Sequence, residues 1–314
     1  MVVDRAGGKI IEHTYFNIIG KYIKEGDLLV LNETRVIPGR VFGKKIPSGG
    51  RVELLFLKEI ENNIWECLVG GKGLDPGRRI QIDDGGTAEI IRDLGGPRRS
   101  IKFDDDPNVF IFHLGKMPLP PYIHQKLEEP ERYQTIYAKD IGSAAAPTAG
   151  LHFTDALIDQ LEDQGVIFGS VVLHVGLDTF APVREENPKD HKIHSEWCQI
   201  SKTTADLINT TKRNGKRVFA VGTTSVRVLE TSGSHITEKS DFVQSFSGDT
   251  NLYILPGYEF KVIDGLITNF HLPNSTLIMM VSAFMGREEV MKIYKEAMDA
   301  NYRFYSFGDA MLIF

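Results

Sequence analysis

The feature that most limits what this chain can fold into is a change of pattern along its length. Residues 39–112 hold short alternating runs at 40–44, 51–57, 65–69, 79–82, 88–91, 100–103 and 109–112. Turn-rich clusters separate them: Pro47-Ser48-Gly49-Gly50, Glu61-Asn62-Asn63, Asp83-Asp84-Gly85-Gly86 and Leu94-Gly95-Gly96-Pro97. Such close spacing, punctuated by Gly, Asn and Asp, predicts a small antiparallel barrel or sandwich with no helix of useful length. Pro118-Leu119-Pro120-Pro121 gives it a stiff exit, because proline resists both helix and central strand.

The flanks alternate helix and strand instead. A helix is predicted over 155–164, with Ala156, Leu157 and Leu161 on one face and Gly165 as its stop. Residues 166–175 read as a strand that includes His174, 204–214 as a helix, 217–221 as a buried strand, and 223–230 as another helix. A strand over 262–270, an apolar helix capped by Ser275 and broken by Gly286, and a last helix over 288–300 follow. Ahead of the barrel, Leu28-Leu29-Val30-Leu31 has the same buried character. The expected fold is a mixed α/β (α+β) core made by both chain ends, 1–38 and 120–314, with an inserted β-barrel domain over 39–119.

Composition narrows the function classes. The chain has 314 residues, 42% hydrophobic and 25% charged, ordinary for a globular protein with a full core. Its longest apolar run, 277–285, is broken by Ser282 and falls short of the roughly 20 residues of a membrane span. Two cysteines are too few for a disulfide framework, and Met1-Val2-Val3-Asp4-Arg5 does not open like a secretory leader. A cytoplasmic protein is expected. The net charge of −6 argues against strong non-specific nucleic-acid binding, although it leaves room for a local basic face.

Polar residues of the α/β part gather where strands are predicted to end, the place where open α/β sheets bind ligands. Asn32, Thr34 and Arg35 follow the first core strand. Gly142-Ser-Ala-Ala-Ala-Pro-Thr-Ala-Gly-Leu-His-Phe153 is a loop of mostly small residues that opens a helix at Thr154, suited to close backbone approach. Gly222-Thr223-Thr224-Ser225-Val226-Arg227 puts hydroxyls and a guanidinium at a helix start, which suits a carboxylate or phosphate. His152, His174, His194 and His271 each abut an apolar stretch, and an acid–base role is expected for at least one. His191, His194, Glu196 and Cys198 fit no standard zinc spacing, so no metal is expected.

Six segments together resemble the S-adenosylmethionine:tRNA ribosyltransferase-isomerases of the queuosine pathway. They are the 142–154 loop, Leu173-His-Val-Gly-Leu-Asp-Thr-Phe180, His194-Ser-Glu-Trp197, Val221-Gly-Thr-Thr-Ser-Val-Arg227, Thr268-Asn-Phe-His-Leu-Pro273 and Tyr305-Ser-Phe-Gly-Asp-Ala-Met-Leu312. Residues 32–40, the barrel exit and Tyr133-Gln-Thr-Ile-Tyr137 fit as well, so the resemblance spans nearly the whole chain. The family carries a further N-terminal segment with an Asp-Tyr-x-Leu-Pro motif, which this sequence lacks ahead of Met1; any ligand contact made there has no counterpart among these residues.

The resemblance implies transfer and isomerisation of the ribosyl part of S-adenosylmethionine, the co-substrate, onto 7-aminomethyl-7-deazaguanine at the tRNA wobble position. Adenine and methionine leave, and the product is epoxyqueuosine. The implied acid–base residues are His174 and His271, with Asp178 or Asp309 orienting a histidine or holding ribose hydroxyls. Thr223, Thr224 and Arg227 are implied for the methionine carboxylate, and Phe153, Phe180, Phe270 and Tyr305 for stacking. Asn32, Arg35, Ser143, Thr148, Gly150, His152, Thr179 and Asn269 complete the implied binding set. Arg40, Lys44, Lys45, Arg51, Arg78, Arg79, Arg92, Arg98, Arg99 and Lys102 of the barrel are candidates for tRNA contact. A monomer is expected. Two alternatives stay open on residues alone: an S-adenosylmethionine- or nucleotide-binding RNA adaptor without ribosyl transfer, and a metal-dependent hydrolase built on His191, His194 and Glu196.

Overall fold

A run such as Leu28-Leu29-Val30-Leu31 offers water no polar face, and it is buried on both sides as the centre of a sheet. The computed structural model describes residues 1–123, 127–176, 182–236 and 241–314. In chain order the strands are β1 (Val2–Asp4), β2 (Lys9–Glu12), β3 (Leu28–Asn32), β4 (Thr34–Val36), β5 (Arg40–Ile46), β6 (Arg51–Glu61), β7 (Ile64–Gly70), β8 (Arg79–Ile82), β9 (Thr87–Gly95) and β10 (Arg98–Phe103). The helix α1 (Pro107–Leu114) and the strand β11 (Asp140–Ser143) follow. Then come α2 (Asp155–Asp163), β12 (Ile167–Leu173), β13 (Glu196–Ile200), α3 (Lys202–Arg213), β14 (Val218–Val221), α4 (Thr223–Ser234), β15 (Phe246–Thr250), β16 (Gly265–Asn269), α5 (Thr276–Met285), α6 (Arg287–Asp299) and β17 (Ala310–Ile313).

The chain divides into two units. The first comprises Met1–Thr34, Glu131–Asp140 and Ala146–Phe314; the second comprises Arg35–Pro130 and Ile141–Ala145. The chain passes between the units four times, and the last passage, from Ala145 to Ala146, falls within the small-residue loop.

In the first unit, nine described strands form one sheet in the order β15-β13-β12-β3-β14-β16-β17-β1-β2. Its centre, β12-β3-β14-β16, is parallel throughout, with Val171 opposite Asn32, Ala220 opposite Val30 and Val221 opposite Ile267. Antiparallel β13 and β17 flank this centre. Helix starts follow local chemistry: the side chains of Thr154, Ser201 and Ser275 accept from the third backbone N–H beyond them, capping α2, α3 and α5.

The second unit holds a closed antiparallel barrel, β10-β7-β6-β5-β8-β9. Phe56 stacks on Phe103 (4.9 Å between centroids) and meets Trp65 edge-on in its core. Residues 109–112, expected as a strand, lie instead in α1. Asp106 caps that helix by accepting from Asn108 N (2.9 Å), and Pro107 stands in its first turn, so the start signal overrides the β-propensity of Val109 and Phe110. Four of the basic residues considered for tRNA contact are engaged inside this unit: Arg40 with Glu53, Arg79 with Asp104, Arg98 with Glu66 and Arg99 with Asp93. Lys44, Arg51, Arg92 and Lys102 remain exposed.

At the N-terminal edge of β3, the buried Asp27 accepts from Lys24 N (2.8 Å), Arg217 N (3.1 Å) and Arg217 Nη2 (2.5 Å). This clasp lies at the opposite strand ends from the polar cluster described below. Asp27→Ala is expected to lower unfolding free energy by about 2–3 kcal/mol in urea titrations while the folded fraction keeps its activity. Unchanged stability would contradict this account of the clasp.

Candidate active site

Four parallel strands ending side by side leave their last backbone groups in one row, across which ligands bind in open α/β sheets. Here the row carries His174 after β12, Asn32 closing β3, Gly222-Thr223-Thr224 after β14, and Asn269-Phe270 at the end of β16. With about 4.8 Å between strands, it spans roughly 14 Å.

At the β3–β12 end, Asn32 is fully buried and works as a ladder extension. Its Nδ2 donates to Leu173 O (3.1 Å), and its Oδ1 accepts from Leu173 N (3.0 Å) and Thr34 N (3.2 Å). This fixes the residue before His174, so Asn32, expected to bind substrate, holds the backbone. The His174 ring stacks on Trp197 (5.1 Å, 21°), and its N–H backbone group donates to Trp197 O. Its Nδ1 lies 2.9 Å from Thr34 Oγ1 and its Nε2 lies 3.4 Å from Asp140 Oδ1. Thr34 can donate onward to the Asp140 backbone carbonyl (3.4 Å) while accepting from Nδ1–H. That assignment leaves the Nε2 lone pair beside the Asp140 carboxylate. Burial lowers the His174 pKa and the Asp140 charge pulls it back up, so the ring is neutral at pH 7 and its charged form has a partner.

The guanidinium of Arg227 is committed. It pairs with Glu196, and donates to Leu252 O (3.2 Å) and Thr250 O (3.3 Å), with only 8% of its side chain exposed. Glu196 in turn accepts from Gly176 N (2.7 Å), two residues past His174. The expected clamp on a ligand carboxylate is thus corrected: Arg227 braces the loop after His174 through Glu196. The start of α4 is another matter. It has no acidic residue in its first turn, Gly222 caps it with φ +86° and no side chain, and Thr224 is buried with no partner for Oγ1 among the described residues.

At the β14–β16 end, the short 3-10 helix Thr148–His152 carries three of the expected residues, Thr148, Gly150 and His152. Thr148 is half-buried in its first turn. At Gly150, a Cβ would lie 1.9 Å from Tyr137 Oη and 2.8 Å from Thr135 Cγ2. Smallness at 150 therefore admits protein groups, where close approach of a ligand was expected. His152 stacks on Phe16 (5.0 Å, 27°) and its Nε2 lies 3.3 Å from Asn269 Nδ2. Asn269 Nδ2 also donates to Tyr305 O (3.0 Å), which leaves its buried Oδ1 without a partner among the described residues. Tyr305 is held at φ +73°, unusual for an aromatic residue, by its N–H on Phe270 O and by Gly308 N on its own carbonyl. His152 also lines a cavity of about 650 Å³ with His13, Tyr15, Phe16, Tyr302, Arg303 and Asp309. Asp309 is paired there with Arg303 (2.7 Å).

Other expectations resolve differently. Phe153 (2% exposed) and Phe270 (0%) are core residues, the latter edge-on to Tyr294 and Tyr302, so neither offers a face for stacking. His271 Nε2 is 2.7 Å from Thr268 Oγ1, and burial pushes its pKa down to about 3, so the ring is neutral and bonded inside the fold. His191 pairs with Glu185, and among the described residues no group of three or more His, Cys, Asp or Glu is placed to hold a metal ion. Arg35 and Ser143 belong to the second unit, where Ser143 Oγ donates to Ala145 O (2.6 Å). Asp178, Thr179 and Phe180 lie outside the described residues. No described helix is long and apolar enough to cross a membrane. In the sequence, Thr135, Asp140 and Trp197 carry no individual signal, although Tyr133-Gln-Thr-Ile-Tyr137 and His194-Ser-Glu-Trp197 belong to the resembling segments, and Glu196 enters only through the metal-hydrolase alternative.

Residues 1–313 match the family described as queuosine biosynthesis protein. The chain belongs to that family. Along its whole length it is 52% identical to S-adenosylmethionine:tRNA ribosyltransferase-isomerase of Halothermothrix orenii and 49% identical to the enzyme of that name from Staphylococcus saprophyticus, covering 92% of each. A crystal structure of S-adenosylmethionine tRNA ribosyltransferase from Thermotoga maritima is 37% identical, with a TM-score of 0.55 over the whole chain and 91% of its own.

The buried histidines set an acid limit. Burial lowers His152 to about 4 and His271 to about 3, from an ordinary 6.5. Both are neutral in the fold, and the unfolded chain takes up their protons first. Stability present above pH 6.5 is expected to be lost as pH falls toward 4 and then 3. Urea midpoints measured from pH 7 to pH 4 should fall, and His271→Gln should flatten the curve. Equal slopes for wild type and variant would remove His271 as a cause.

Proposed function

We infer that this chain is an S-adenosylmethionine:tRNA ribosyltransferase-isomerase, an enzyme that transfers and isomerises the ribosyl part of S-adenosylmethionine onto a tRNA base in queuosine biosynthesis. The full-length match to relatives of that name, at about half identity, carries the reading. The acceptor we assign is the amine of 7-aminomethyl-7-deazaguanine at the wobble position, and the product epoxyqueuosine. The protein acts as a cytoplasmic monomer with S-adenosylmethionine as its only co-substrate besides tRNA.

The chemistry needs a base for the ribose 5′ carbon, already acidified by the adjoining sulfonium, so a Lewis acid is not demanded. Departing adenine must gain a proton, and the methionine carboxylate must be held. His174 Nε2 takes the 5′ proton, and the Asp140 carboxylate stabilises the imidazolium that results. Thr34 fixes the other ring nitrogen, Trp197 fixes the ring plane, and Asn32 fixes the backbone. The open N–H groups of α4 with the Thr223 and Thr224 hydroxyls receive the carboxylate. His152, neutral and bonded to Asn269, lines with Asp309 the wall of the cavity at the other end of the row, and Asp309 there and Tyr305, whose carbonyl holds Asn269, serve binding.

Incubation with precursor-bearing tRNA and labelled S-adenosylmethionine is expected to release adenine only when that tRNA is present. An RNA adaptor would bind both and release none. His174→Gln should lower turnover by about 10²–10⁴-fold with little change in S-adenosylmethionine affinity. Because the Asp140 charge raises the His174 pKa, Asp140→Asn should move the acidic limb of kcat/KM to lower pH. A limb that stays put, or His174→Gln at full turnover, would dismiss His174 as the base.

A further inference from the structure

Glu131–Asp140 is a strap of the first unit. At one end Asp140 reaches His174; in its middle Thr135 and Tyr137 meet Gly150 of the short helix Thr148–His152. Thr135 is only 4% exposed, yet its Oγ1 has no hydrogen-bond partner among the described residues, and neither has the buried Tyr137 Oη. Two residues beyond Gly150, His152 touches Asn269, which is 2% exposed and whose Oδ1 is likewise unpartnered. Three polar atoms without partners among the described residues thus belong to side chains that pack on or bond to one short helix.

Buried polar groups without partners lower stability, and the repair is simple: Val at 135 and Phe at 137 keep the shapes and lose the hydroxyls. Three such atoms on residues that meet one short helix point to a ligand that satisfies them. Its chemistry can be read from the donor inventory. Both N–H bonds of Asn269 are spent, on His152 and Tyr305 O, so its oxygen can only accept and must face a donor. The two hydroxyls can donate or accept. A heterocycle with an exocyclic amine beside hydroxyls or ring nitrogens has this pattern.

We propose that Thr135, Tyr137 and Asn269 Oδ1 bind the nucleoside half of S-adenosylmethionine, Asn269 Oδ1 accepting from the adenine amine and the strap hydroxyls bonding the remaining polar atoms. This rests on the function inferred above. It makes the strap a specificity element, in which one segment both orients the His174 imidazole and recognises the leaving base.

The test uses Thr135→Val and Tyr137→Phe in the full chain, read by thermal melting and by calorimetric titration with S-adenosylmethionine. The free variants are expected to melt at or above the wild-type temperature, since each removes an unpartnered buried hydroxyl. Their affinity for S-adenosylmethionine should fall roughly tenfold each, the loss of about one ligand hydrogen bond. The analogue carrying a carbonyl oxygen in place of the adenine amine should bind wild-type protein at least tenfold more weakly, because two acceptors then face each other. Variants that melt lower and bind normally would make the hydroxyls structural and overturn the proposal, as would equal affinity for the two ligands. Wild-type protein that fails to bind S-adenosylmethionine would overturn the function as well; wild-type binding with unaffected variants overturns this proposal alone.

Discussion

Everything in the candidate site depends on four parallel strands running out together. Parallel pairing forces each connection to return the chain to the far edge, so β12, β3, β14 and β16 deliver their following residues to the same side. Past Asn32 the backbone ladder to β12 ends on the Glu33 N to Val171 O bond, and the Asn32 side chain extends it, bonding both Leu173 N and Leu173 O. An amide is the only small neutral side chain that donates and accepts in the geometry of a peptide group. That substitution of side chain for backbone sets the position of His174.

Around this row the fold commits charges to one another instead of to a ligand. Arg227 and Glu196 are both nearly dry, and each is bonded beyond the pair, to Thr250 O and Leu252 O on one side and to Gly176 N on the other. Desolvation makes such a pair a poor source of net stability, whereas loss of either partner leaves an uncompensated charge. Its use here is geometric: it holds the backbone that follows His174. The α4 N-terminus, by contrast, has no acidic residue in its first turn and no side-chain cap, and Thr224 Oγ1 has no partner among the described residues, so the helix dipole there is left uncompensated by a neighbouring carboxylate of its own turn.

Three histidines in similar sequence settings have three different fates, and environment decides each. His271 is enclosed with a neutral hydroxyl partner, and burial alone drives its pKa to about 3. His152 is lowered to about 4, relieved only in part by the more distant Asp309. His174 alone has a carboxylate at its second nitrogen. The difference comes from Asp140, which is 34 residues away in sequence and reaches the ring because the strap crosses the strand ends.

The sequence by itself determined the elements and their class. Gly-punctuated alternation specified the barrel, while caps at Thr154, Ser201 and Ser275 and apolar runs at β3 and β14 specified the sheet and its helices, because these are local steric and hydrogen-bonding choices. It failed at 109–112, where an Asp-Pro helix start outweighed strand-like residues. It also pointed to polar residues at strand ends, and the structure brings Asn32, His174, Thr223, Thr224 and Asn269 to one row at the ends of the parallel strands. What it could not supply was partnership. Whether Arg227 is free or paired, whether Gly150 admits a ligand or Tyr137, and which histidine meets a carboxylate all depend on contacts between segments distant in the chain. Charge, desolvation and hydrogen bonding act through space, so only the tertiary structure decides them.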